Sequence, residues 1–395
     1  LVLTTHPDGT TETAGFDANG NKVSETDRAG RTTYYEYDAA NRLVRTVYPD
    51  GTTTTQRYDG SGRLVESVDQ AGNATRYGYD AAGRLIAEHD PAGNITRYGY
   101  DSVGNRTSVT DANGHTTTFE YDAAGRLIRT VYPDGTASSA AYDAIGRKIA
   151  ETDANGHTTA FAYDSAGRLT AVIDALGQRT EYGYDSHGNR VTQTDAEGRM
   201  TRWSYDGSGR VLSRTLPGGE AETFSYDAVG NRLSHTDFNG RTTAYAYDEL
   251  NREVLRTYGD GSSVSTTYTA SGLVATVSDA AGVTHHEYDL IDRLVRLTDP
   301  AKQVITYGYD ARGNRVTLSS GSHSISFSYN PLNQLESVTD ANGTVRYQYD
   351  PVGNLTLIRY PNGLATTQQY DRLNRLVEQT TRNAANKVVE RFRYT

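Results

Sequence analysis

Residues Tyr121 to Tyr142 read YDAAGRLIRTVYPDGTASSAAY, and almost the whole chain repeats this 21-residue unit. Opening aromatic residues recur every 21 residues from Phe16 to Tyr268, and then at steps of 20 or 21 as far as Tyr370, which gives eighteen copies. A fixed period of this length indicates an array of equal structural units, in which each unit buries its apolar side chains against its neighbours.

Each unit contains two turn signals. Four residues after the opening aromatic, every copy has Gly, Asn or Asp, the residues that best tolerate a left-handed backbone. Asp precedes this position by three residues in sixteen copies, as Asp122 precedes Gly125, and its carboxylate can accept bonds from backbone N–H groups. A second turn follows ten residues later, and all nine prolines take the second residue of one turn or the other. Both turns are therefore predicted to be type I hairpin turns that end in a left-handed residue beside a bulge.

Two runs of about seven residues separate the turns, for example 126–132 and 136–142. These short runs, bounded by turns that contain glycine, are typical of strands in an antiparallel meander. Aromatic residues also recur two positions before the opening aromatic, as Phe119 precedes Tyr121, in thirteen of nineteen copies. Because residues two apart in a strand share a face, the ribbon is predicted to have one aromatic face and one polar face.

The expected dimensions of the ribbon restrict its shape. Seven residues give a width of about 24 Å, and about 36 strands give a length on the order of 170 Å. Strand twist and the exposed aromatic face favour coiling, with one turn of the ribbon packed on the next. The predicted fold is all-β: a continuous antiparallel β-hairpin ribbon of 21-residue repeats that spirals into a hollow shell.

A multi-bladed β-propeller is the alternative fold. A propeller groups four strands, or 42 residues, in each blade, and a 42-residue spacing separates Pro7, Pro49, Pro91 and Pro133. The same spacing is expected from duplication of a gene segment. Nine blades would be needed, whereas propellers usually close after four to eight.

The chain has 395 residues, of which 36% are hydrophobic and 30 are tyrosine. This composition supplies too few aliphatic residues for a solid core of this size, so a thin-walled structure is expected. No internal boundary is evident, and residues 1–395 are predicted to form a single array of about eighteen repeats, a fragment of a longer shell. Residues 269–395 are less regular, because Thr269 and Asn330 replace the turn Asp and Lys302 replaces a turn Gly.

Charge and composition exclude several functional classes. A net charge of −10 argues against nucleic-acid binding, which needs a positive surface. No apolar run is long enough to span a membrane. The absence of cysteine excludes disulfides, thiol catalysis and thiolate metal sites.

The remaining polar patterns do not predict a reaction centre. Asp111, Asp153 and Asp340 each begin an Asp-x-Asn-Gly sequence that is similar to the start of a calcium loop, but the closing Glu and the loop length are missing. No cofactor, metal site or catalytic residue is predicted. The repeated Asp and Arg are instead assigned to the turn, with each Arg paired to its Asp and lying over neighbouring Tyr rings.

The predicted functional residues are therefore mostly structural. The repeat motif is represented by Tyr37, Asp38, Tyr79, Asp80, Gly83, Arg84, Tyr121, Asp122, Gly125, Arg126, Tyr163, Asp164, Gly167 and Arg168. A candidate stacking surface comprises Tyr77, Tyr98, Tyr182 and Trp203.

The motif Y-D-x-x-G-R-L, at Tyr79 to Leu85 and at Tyr163 to Leu169, resembles the YD repeats of Rhs proteins. Similar repeats occur in the C component of insecticidal toxin complexes and in teneurins. The resemblance covers residues 6–395 and implies a β-ribbon that spirals into a hollow shell. In bacterial members this shell encloses a C-terminal toxin domain, often for delivery by a type VI secretion system.

The resemblance also implies partners and a location. The expected partner is a C-terminal toxin domain of the same parent chain, with a secretion-system spike or adaptor as a further candidate, and the expected location is secreted or at the cell surface. The family's autocleavage stretch, rich in Asp, Pro and Gly, is not recognisable here, so the chain is not predicted to be an enzyme. The alternative function is an extracellular adhesive surface whose exposed Tyr residues bind glycans or proteins.

Overall fold

The computed structural model describes residues 1–394 and is entirely β-sheet in that range, with no helix. Thr395, the last residue of the predicted array, lies outside the described residues. The first nineteen strands are β1 Val2–Thr5, β2 Thr11–Phe16, β3 Lys22–Thr26, β4 Thr32–Tyr37, β5 Leu43–Val47, β6 Thr53–Tyr58, β7 Leu64–Val68, β8 Ala74–Tyr79, β9 Leu85–His89, β10 Ile95–Tyr100, β11 Arg106–Thr110, β12 Thr116–Tyr121, β13 Leu127–Val131, β14 Ala137–Tyr142, β15 Lys148–Thr152, β16 Thr158–Tyr163, β17 Leu169–Ile173, β18 Arg179–Tyr184 and β19 Arg190–Thr194. The remaining strands are β20 Met200–Tyr205, β21 Val211–Thr215, β22 Ala221–Tyr226, β23 Arg232–Thr236, β24 Thr242–Tyr247, β25 Glu253–Thr257, β26 Ser263–Tyr268, β27 Val274–Asp279, β28 Gly282–Tyr288, β29 Leu294–Thr298, β30 Val304–Tyr309, β31 Arg315–Ser320, β32 His323–Tyr329, β33 Leu335–Asp340, β34 Gly343–Tyr349, β35 Leu355–Arg359, β36 Ala365–Tyr370, β37 Leu376–Arg382 and β38 Val388–Arg393.

Each strand pairs antiparallel with the strand before it and the strand after it, so that the 38 strands form one sheet. Within residues 1–394, β1 and β38 are the ends of this sheet and do not pair with each other. The predicted continuous hairpin ribbon is therefore confirmed. The propeller alternative is not needed, because the strands are not grouped into separate four-stranded blades.

The first turns, and all second turns except three shorter ones, have the predicted geometry. At the first turn of the 121–142 unit, Gly125 N–H donates to Asp122 O at 2.9 Å, and Asp122 N–H donates to Arg126 O at 3.0 Å. Gly125 has a φ of 75°, and the equivalent residue has a positive φ in all eighteen copies. The strand register shifts beside this turn, between Glu120 and Tyr121, as expected for a bulge.

The strands are shorter than the seven residues expected, mostly five or six, because the turn residues take up the difference. Three second turns are shorter than the rest: Asp279 pairs with Gly282, Ser320 with His323, and Asp340 with Gly343, which leaves two residues in each loop. These two-residue loops fall in the three repeats that are 20 residues long. A one-residue deletion is thus absorbed in a turn and leaves the strand register intact.

The sheet is a single layer without a solid core. Among residues 1–394, only Thr46, Ala171, Thr366 and Thr380 are buried. The accessible surface is 22625 Å², whereas a compact protein of this mass would expose about 15,000 Å². Both faces of the ribbon are therefore accessible to solvent over most of its length.

The ribbon coils back on itself. Asp69 follows β7 and Arg312 follows β30, 23 strands later, yet their side chains form a salt bridge of 2.8 Å. Asn113, after β11, donates at 3.0 Å to Asp350, after β34, with the same offset. One turn of the spiral therefore contains about 23 strands, or about 110 Å of sheet at about 4.8 Å a strand.

The two faces of the ribbon differ in exposure. We call the face that carries Phe119 and Tyr121 the aromatic face. Ala140 lies on the aromatic face and is half-buried, whereas its neighbour Ala141 lies on the opposite face and is exposed. Because the two side chains are identical, the difference reflects closer crowding of side chains on the aromatic face.

Candidate functional site: the turn ladder and the seam

The Asp of each first turn is the acceptor that holds the turn together. Asp122 Oδ1 accepts hydrogen bonds from the backbone N–H groups of Ala124 at 2.9 Å and Arg126 at 3.0 Å, and Oδ2 accepts from Arg126 Nε at 2.7 Å. These bonds from Arg126 hold the pKa of Asp122 below its ordinary value. The carboxylate is therefore occupied by its own turn.

In eight copies the Arg that follows the first turn connects its repeat to the next. Arg126 Nη1 donates to Asp143 O in the following first turn at 3.1 Å, and its guanidinium lies 5.0 Å from the centre of the Tyr142 ring. Arg84 makes the same contacts with Asp101 O and Tyr100. Since the pattern recurs along the ribbon, the Arg side chains form a ladder along the edge that contains the first turns.

The opening Tyr connects each repeat to the previous one. Tyr121 Oη donates to Arg106 O at 2.9 Å, on the neighbouring strand β11. Sixteen of the opening tyrosines make this bond, to a carbonyl 14 or 15 residues earlier. The pattern of Tyr spacing predicts the strand but gives no sign of this hydroxyl contact.

The structure thus brings the predicted motif residues together in a consistent way. In each represented repeat, Asp, Gly and Arg meet at the first turn, while Tyr ends the preceding strand: Tyr37 with Asp38; Tyr79 with Asp80, Gly83 and Arg84; Tyr121 with Asp122, Gly125 and Arg126; and Tyr163 with Asp164, Gly167 and Arg168. These contacts are all internal to the ribbon, and their functional role stays a prediction.

The irregular turns keep the geometry with other residues. Asn330 Oδ1 accepts from the N–H groups of Leu332 and Gln334, both at 3.0 Å, and Thr269 Oγ1 accepts from Leu273 N–H at 3.1 Å. Lys302 takes the left-handed position with a φ of 66°. Every first turn thus begins with a side-chain oxygen and ends in a left-handed residue, and Asp and Gly usually supply the two.

The calcium-like sequences are ordinary turns in the structure. Asp111 Oδ1 accepts from the N–H groups of Asn113 at 3.0 Å and His115 at 2.8 Å. Among residues 1–394, no three His, Asp or Glu side chains converge in a way that could hold a metal ion.

The candidate stacking residues are all half-buried on the aromatic face. Arg106 lies 5.8 Å from the Tyr98 ring, and Arg190 lies 5.8 Å from the Tyr182 ring and 4.5 Å from the Trp203 ring. Tyr77 forms a long hydroxyl contact of 3.4 Å with Ser67. Three of the four rings therefore already have a guanidinium partner, and sugar stacking by them stays a prediction.

One shallow depression lies on the aromatic face where Ala140 replaces the usual aromatic residue. Its volume is about 470 Å³, and Thr130 and Tyr142 are among the residues that line it. Lys148 and Glu151 also line it and pair with each other at 2.9 Å. The depression presents no group that is arranged for a reaction.

The structure reveals a second set of residues, at the seam where the two turns of the spiral meet. Here the second turns of the first coil, residues 8–134, contact the first turns of the second coil, residues 252–375. The cross-seam pairs are Arg31 with Asp292 at 2.7 Å, Arg312 with Asp69 at 2.8 Å, Asn113 with Asp350 at 3.0 Å, Arg375 with Asp134 at 3.6 Å and Arg293 with Asp50 at 3.9 Å. All are side-chain contacts, and across the described residues no strand pairs with another across this seam.

A sequence signal for the seam exists, although it is weak. The third residue of the first turn is small or polar in most copies of the first coil, but in the second coil it is often aliphatic. The aliphatic members are Leu250, Ile291, Leu332, Val352 and Leu373, and all are half-buried. Such a residue at a turn tip is unusual unless another surface covers it.

Comparisons with known proteins agree with this architecture. The model of the RHS repeat family matches eleven segments, some of which overlap: residues 16–53, 58–95, 79–116, 100–137, 142–179, 163–200, 184–221, 226–263, 288–325, 329–365 and 349–385. Among curated protein sequences, none matches the chain. No helix in residues 1–394 is long and apolar enough to cross a membrane.

Solved structures with the same fold are toxin-complex proteins. A crystal structure of TcdB2-TccC3-Cdc42 matches with a TM-score of 0.76 and 17% identity over 98% of this chain. TcdB2-TccC3 without its hypervariable C-terminal region matches with a TM-score of 0.70 and 19% identity over 95% of this chain. A Photorhabdus luminescens Tc holotoxin pore matches with a TM-score of 0.66 and 18% identity over 99%. The chain spans 27%, 27% and 26% of the length of these three structures.

Proposed function

The chain belongs to the RHS repeat family, and we propose that it forms part of the wall of a shell that encloses a C-terminal toxin domain of the same parent polypeptide. A single-layer sheet with almost no buried residues, coiled at 23 strands a turn, is the observation that carries this proposal. At these dimensions a turn of about 110 Å has a diameter of about 35 Å between backbones, and the inward side chains narrow the space inside it.

The turn ladder supports a structural role. Sixteen repeats are bonded to the one before them by Tyr, and eight are bonded to the one after them by Arg, so that the wall has a recurring set of cross-links along its edge. In this proposal the motif residues, including Asp38 and Arg168, maintain the wall and take no part in a reaction. One solved relative is described as lacking its hypervariable C-terminal region, which fits a shell that accompanies a variable domain.

We further propose that the shell is exported from the cell that makes it. The shell would be secreted by a bacterium, through a type VI secretion system or another export route, with a spike or adaptor as the external partner. The described residues contain no membrane-spanning helix, which is compatible with an exported shell.

Protease protection tests the enclosing role. The chain is expressed with the polypeptide that follows it in its parent, and the rate at which a protease cleaves that segment is measured. Protection that persists until urea unfolds the repeat wall is expected. As a control, the same segment is fused before Leu1, where it should be cleaved freely. Equal cleavage of the segment in both positions would contradict the proposal.

A further inference from the structure

The aromatic face has an open slot in the middle of the ribbon. The position two residues before the opening Tyr carries Phe119 in β12 and Phe161 in β16, but Ala140 in β14, which lies between them. The missing ring leaves the depression of about 470 Å³. Strands continue the sheet on both sides of this slot, so it does not depend on where the sequence begins or ends.

The slot is large enough for a ring and has apolar groups in its lining. In β6, where Gln56 replaces the aromatic residue, the long side chain fills the place and accepts a hydrogen bond from the Tyr58 hydroxyl at 2.7 Å. Ala140 has only a methyl group and cannot do the same. An apolar cavity of about 150 Å³ already holds benzene. The larger slot, with Leu127 and Tyr142 in its lining, can therefore hold an aromatic side chain and part of its backbone.

A Lys–Glu pair lies beside the slot. Glu151 is directly opposite Ala140 in the strand ladder, and its Oε2 accepts a hydrogen bond from Lys148 Nζ at 2.9 Å. Both side chains line the depression. A carboxylate can accept several hydrogen bonds, and within residues 1–394 Glu151 accepts only this one. Its Oε1 is therefore available to a donor in the slot.

The same pair occurs at one other copy of the repeat, and there it holds a tyrosine. The Lys22–Glu25 pair has the same spacing and the same place in the repeat, and its charged atoms are 2.7 Å apart. Glu25 Oε2 accepts a hydrogen bond from the Tyr35 hydroxyl at 3.1 Å. Lys22 Nζ lies 5.2 Å from the centre of the Tyr35 ring. This pair thus binds both the hydroxyl and the ring of one tyrosine.

The later pair has no such tyrosine from its own chain. The residue equivalent to Tyr35, ten positions after Glu151, is Phe161, which has no hydroxyl to donate. The pair formed by Lys148 and Glu151 therefore keeps the groups that hold a tyrosine, next to a slot from which a ring is missing.

We propose that the slot over Ala140 binds a tyrosine side chain of a partner polypeptide. The ring occupies the place of the missing aromatic residue, its hydroxyl donates to Glu151, and the Lys148 ammonium lies near its face. A phenylalanine ring fits the same space but leaves Glu151 without a donor, so tyrosine is preferred. This inference does not rest on the proposed function, because the slot is present whichever polypeptide supplies the ring.

Saturation-transfer NMR of the 395-residue chain with N-acetyl-tyrosinamide tests the proposal, since this probe can reach either face of the wall. The probe should bind, and N-acetyl-phenylalaninamide should bind about fivefold more weakly because it lacks the hydroxyl. Glu151→Ala removes the acceptor and should abolish this preference. Absence of saturation transfer to either probe, equal binding of the two probes, or a preference that persists in Glu151→Ala would overturn the proposal.

Ala140→Phe then locates the binding site. It restores the ring that most copies carry and should abolish binding of N-acetyl-tyrosinamide. The chain should still fold, because a ring opposite a Glu is accommodated where Tyr77 lies opposite Glu88.

Ala141→Phe is the matched control, since it adds the same ring at the next residue, which lies on the opposite face and is exposed. It should leave binding of the probe unchanged. Binding that survives Ala140→Phe, or that is lost equally in the two variants, would contradict a tyrosine site in the slot.

Discussion

The repeats before Tyr268 and those after it build the same wall from different sequences. The earlier repeats are uniform, and Gly provides the left-handed residue in nearly every turn. The later repeats use Asp292, Lys302 and Asn333 at that position, and three of them are one residue shorter. Both regions nevertheless keep a left-handed residue in every turn and a continuous antiparallel ladder.

The difference separates what the fold requires from what it tolerates. The left-handed backbone, an oxygen acceptor at the start of the turn and the Tyr hydroxyl bond are present in both regions. What changes is the turn tip, and it changes where the second coil lies against the first. The irregular repeats after Tyr268 therefore form the wall and, through their turn tips, also contact the first coil at the seam.

The largest effect is expected at the left-handed position. Gly125 has a φ of 75°, and an added Cβ would find only ordinary contact, with Asn105 Oδ1 at 3.6 Å. Gly125→Val should therefore lose about 2 kcal/mol through backbone strain alone. Lys302→Gly should instead gain up to about 1 kcal/mol, because it relieves the same strain in the later region. Urea unfolding of both variants measures these changes. An equal loss of unfolding free energy in the two variants would contradict the claim that both positions require a left-handed backbone.

A smaller effect is expected from the Tyr hydroxyl. Tyr121→Phe removes a 2.9 Å bond to Arg106 O and should cost about 1 kcal/mol. In the later region Tyr329→Phe removes a longer bond of 3.3 Å to Arg315 O and should cost less. Tyr226→Phe is the control, since the Tyr226 hydroxyl has no such carbonyl partner in the described residues. Urea midpoints that fall equally for Tyr121→Phe and Tyr226→Phe would show that the hydroxyl bond does not matter.

Acid should reveal a further difference between Asp and Asn turns. Bonds from Arg126 lower the pKa of Asp122 in the folded state from an ordinary value of 3.8, so the unfolded chain binds more protons in acid. The stability that Asp122 contributes is complete above that ordinary value and is lost as the pH falls through the lowered pKa. Asp122→Asn should therefore be less stable than the parent chain at pH 7, by a margin that shrinks toward pH 3.

The natural Asn at position 330 gives the reciprocal test. Asn330→Asp should make the later region more sensitive to acid, because it introduces a carboxylate that the turn N–H groups stabilise. Urea midpoints measured from pH 7 to pH 3 check both variants. A stability difference between Asp122→Asn and the parent chain that grows as the pH falls would contradict a lowered pKa of Asp122 in the folded state.

The smallest effect on stability is expected at the seam. Arg312→Ala removes the 2.8 Å pair with Asp69 and should cost at most about 1 kcal/mol, since such pairs are partly exposed. Hydrogen exchange should nevertheless increase on both sides of the seam, near residues 69 and 312. Arg129→Ala, which breaks a 2.7 Å pair with Glu120 on the sheet face, should not change exchange there. Identical hydrogen exchange near residues 69 and 312 in Arg312→Ala and Arg129→Ala would contradict a contact between the two coils at the seam.

Local features of this fold could be predicted from the sequence because they arise from local chemistry. Asp and Gly at fixed spacing determine a turn, as at Asp122 and Gly125, and alternating aromatics determine a face. The pairing order of the strands follows, since short turns allow only sequential hairpins. The steps of 20 residues also indicate the two-residue loops, because a deletion between two intact strands has to shorten a turn.

The coil could not be predicted in the same way. The number of strands in a turn depends on the summed twist and curvature of the whole sheet, and small changes in each strand accumulate. The contact of Asp69 with Arg312 is a result of that sum, and neither residue departs from the repeat in a way that identifies its partner. The aliphatic tips such as Leu332 indicate that a surface is covered but not which one.

Cross-linking across the seam tests the central claim most directly. The chain contains no cysteine, so Asp69→Cys and Arg312→Cys together place two unique thiols, which a short bis-maleimide can join. The account predicts an efficient link within the monomer for this pair, and none when Asp69→Cys is combined with Arg202→Cys, a position on a different part of the coil. Failure of the first pair to link, or equal linking of both pairs, would contradict a wall that coils at 23 strands a turn.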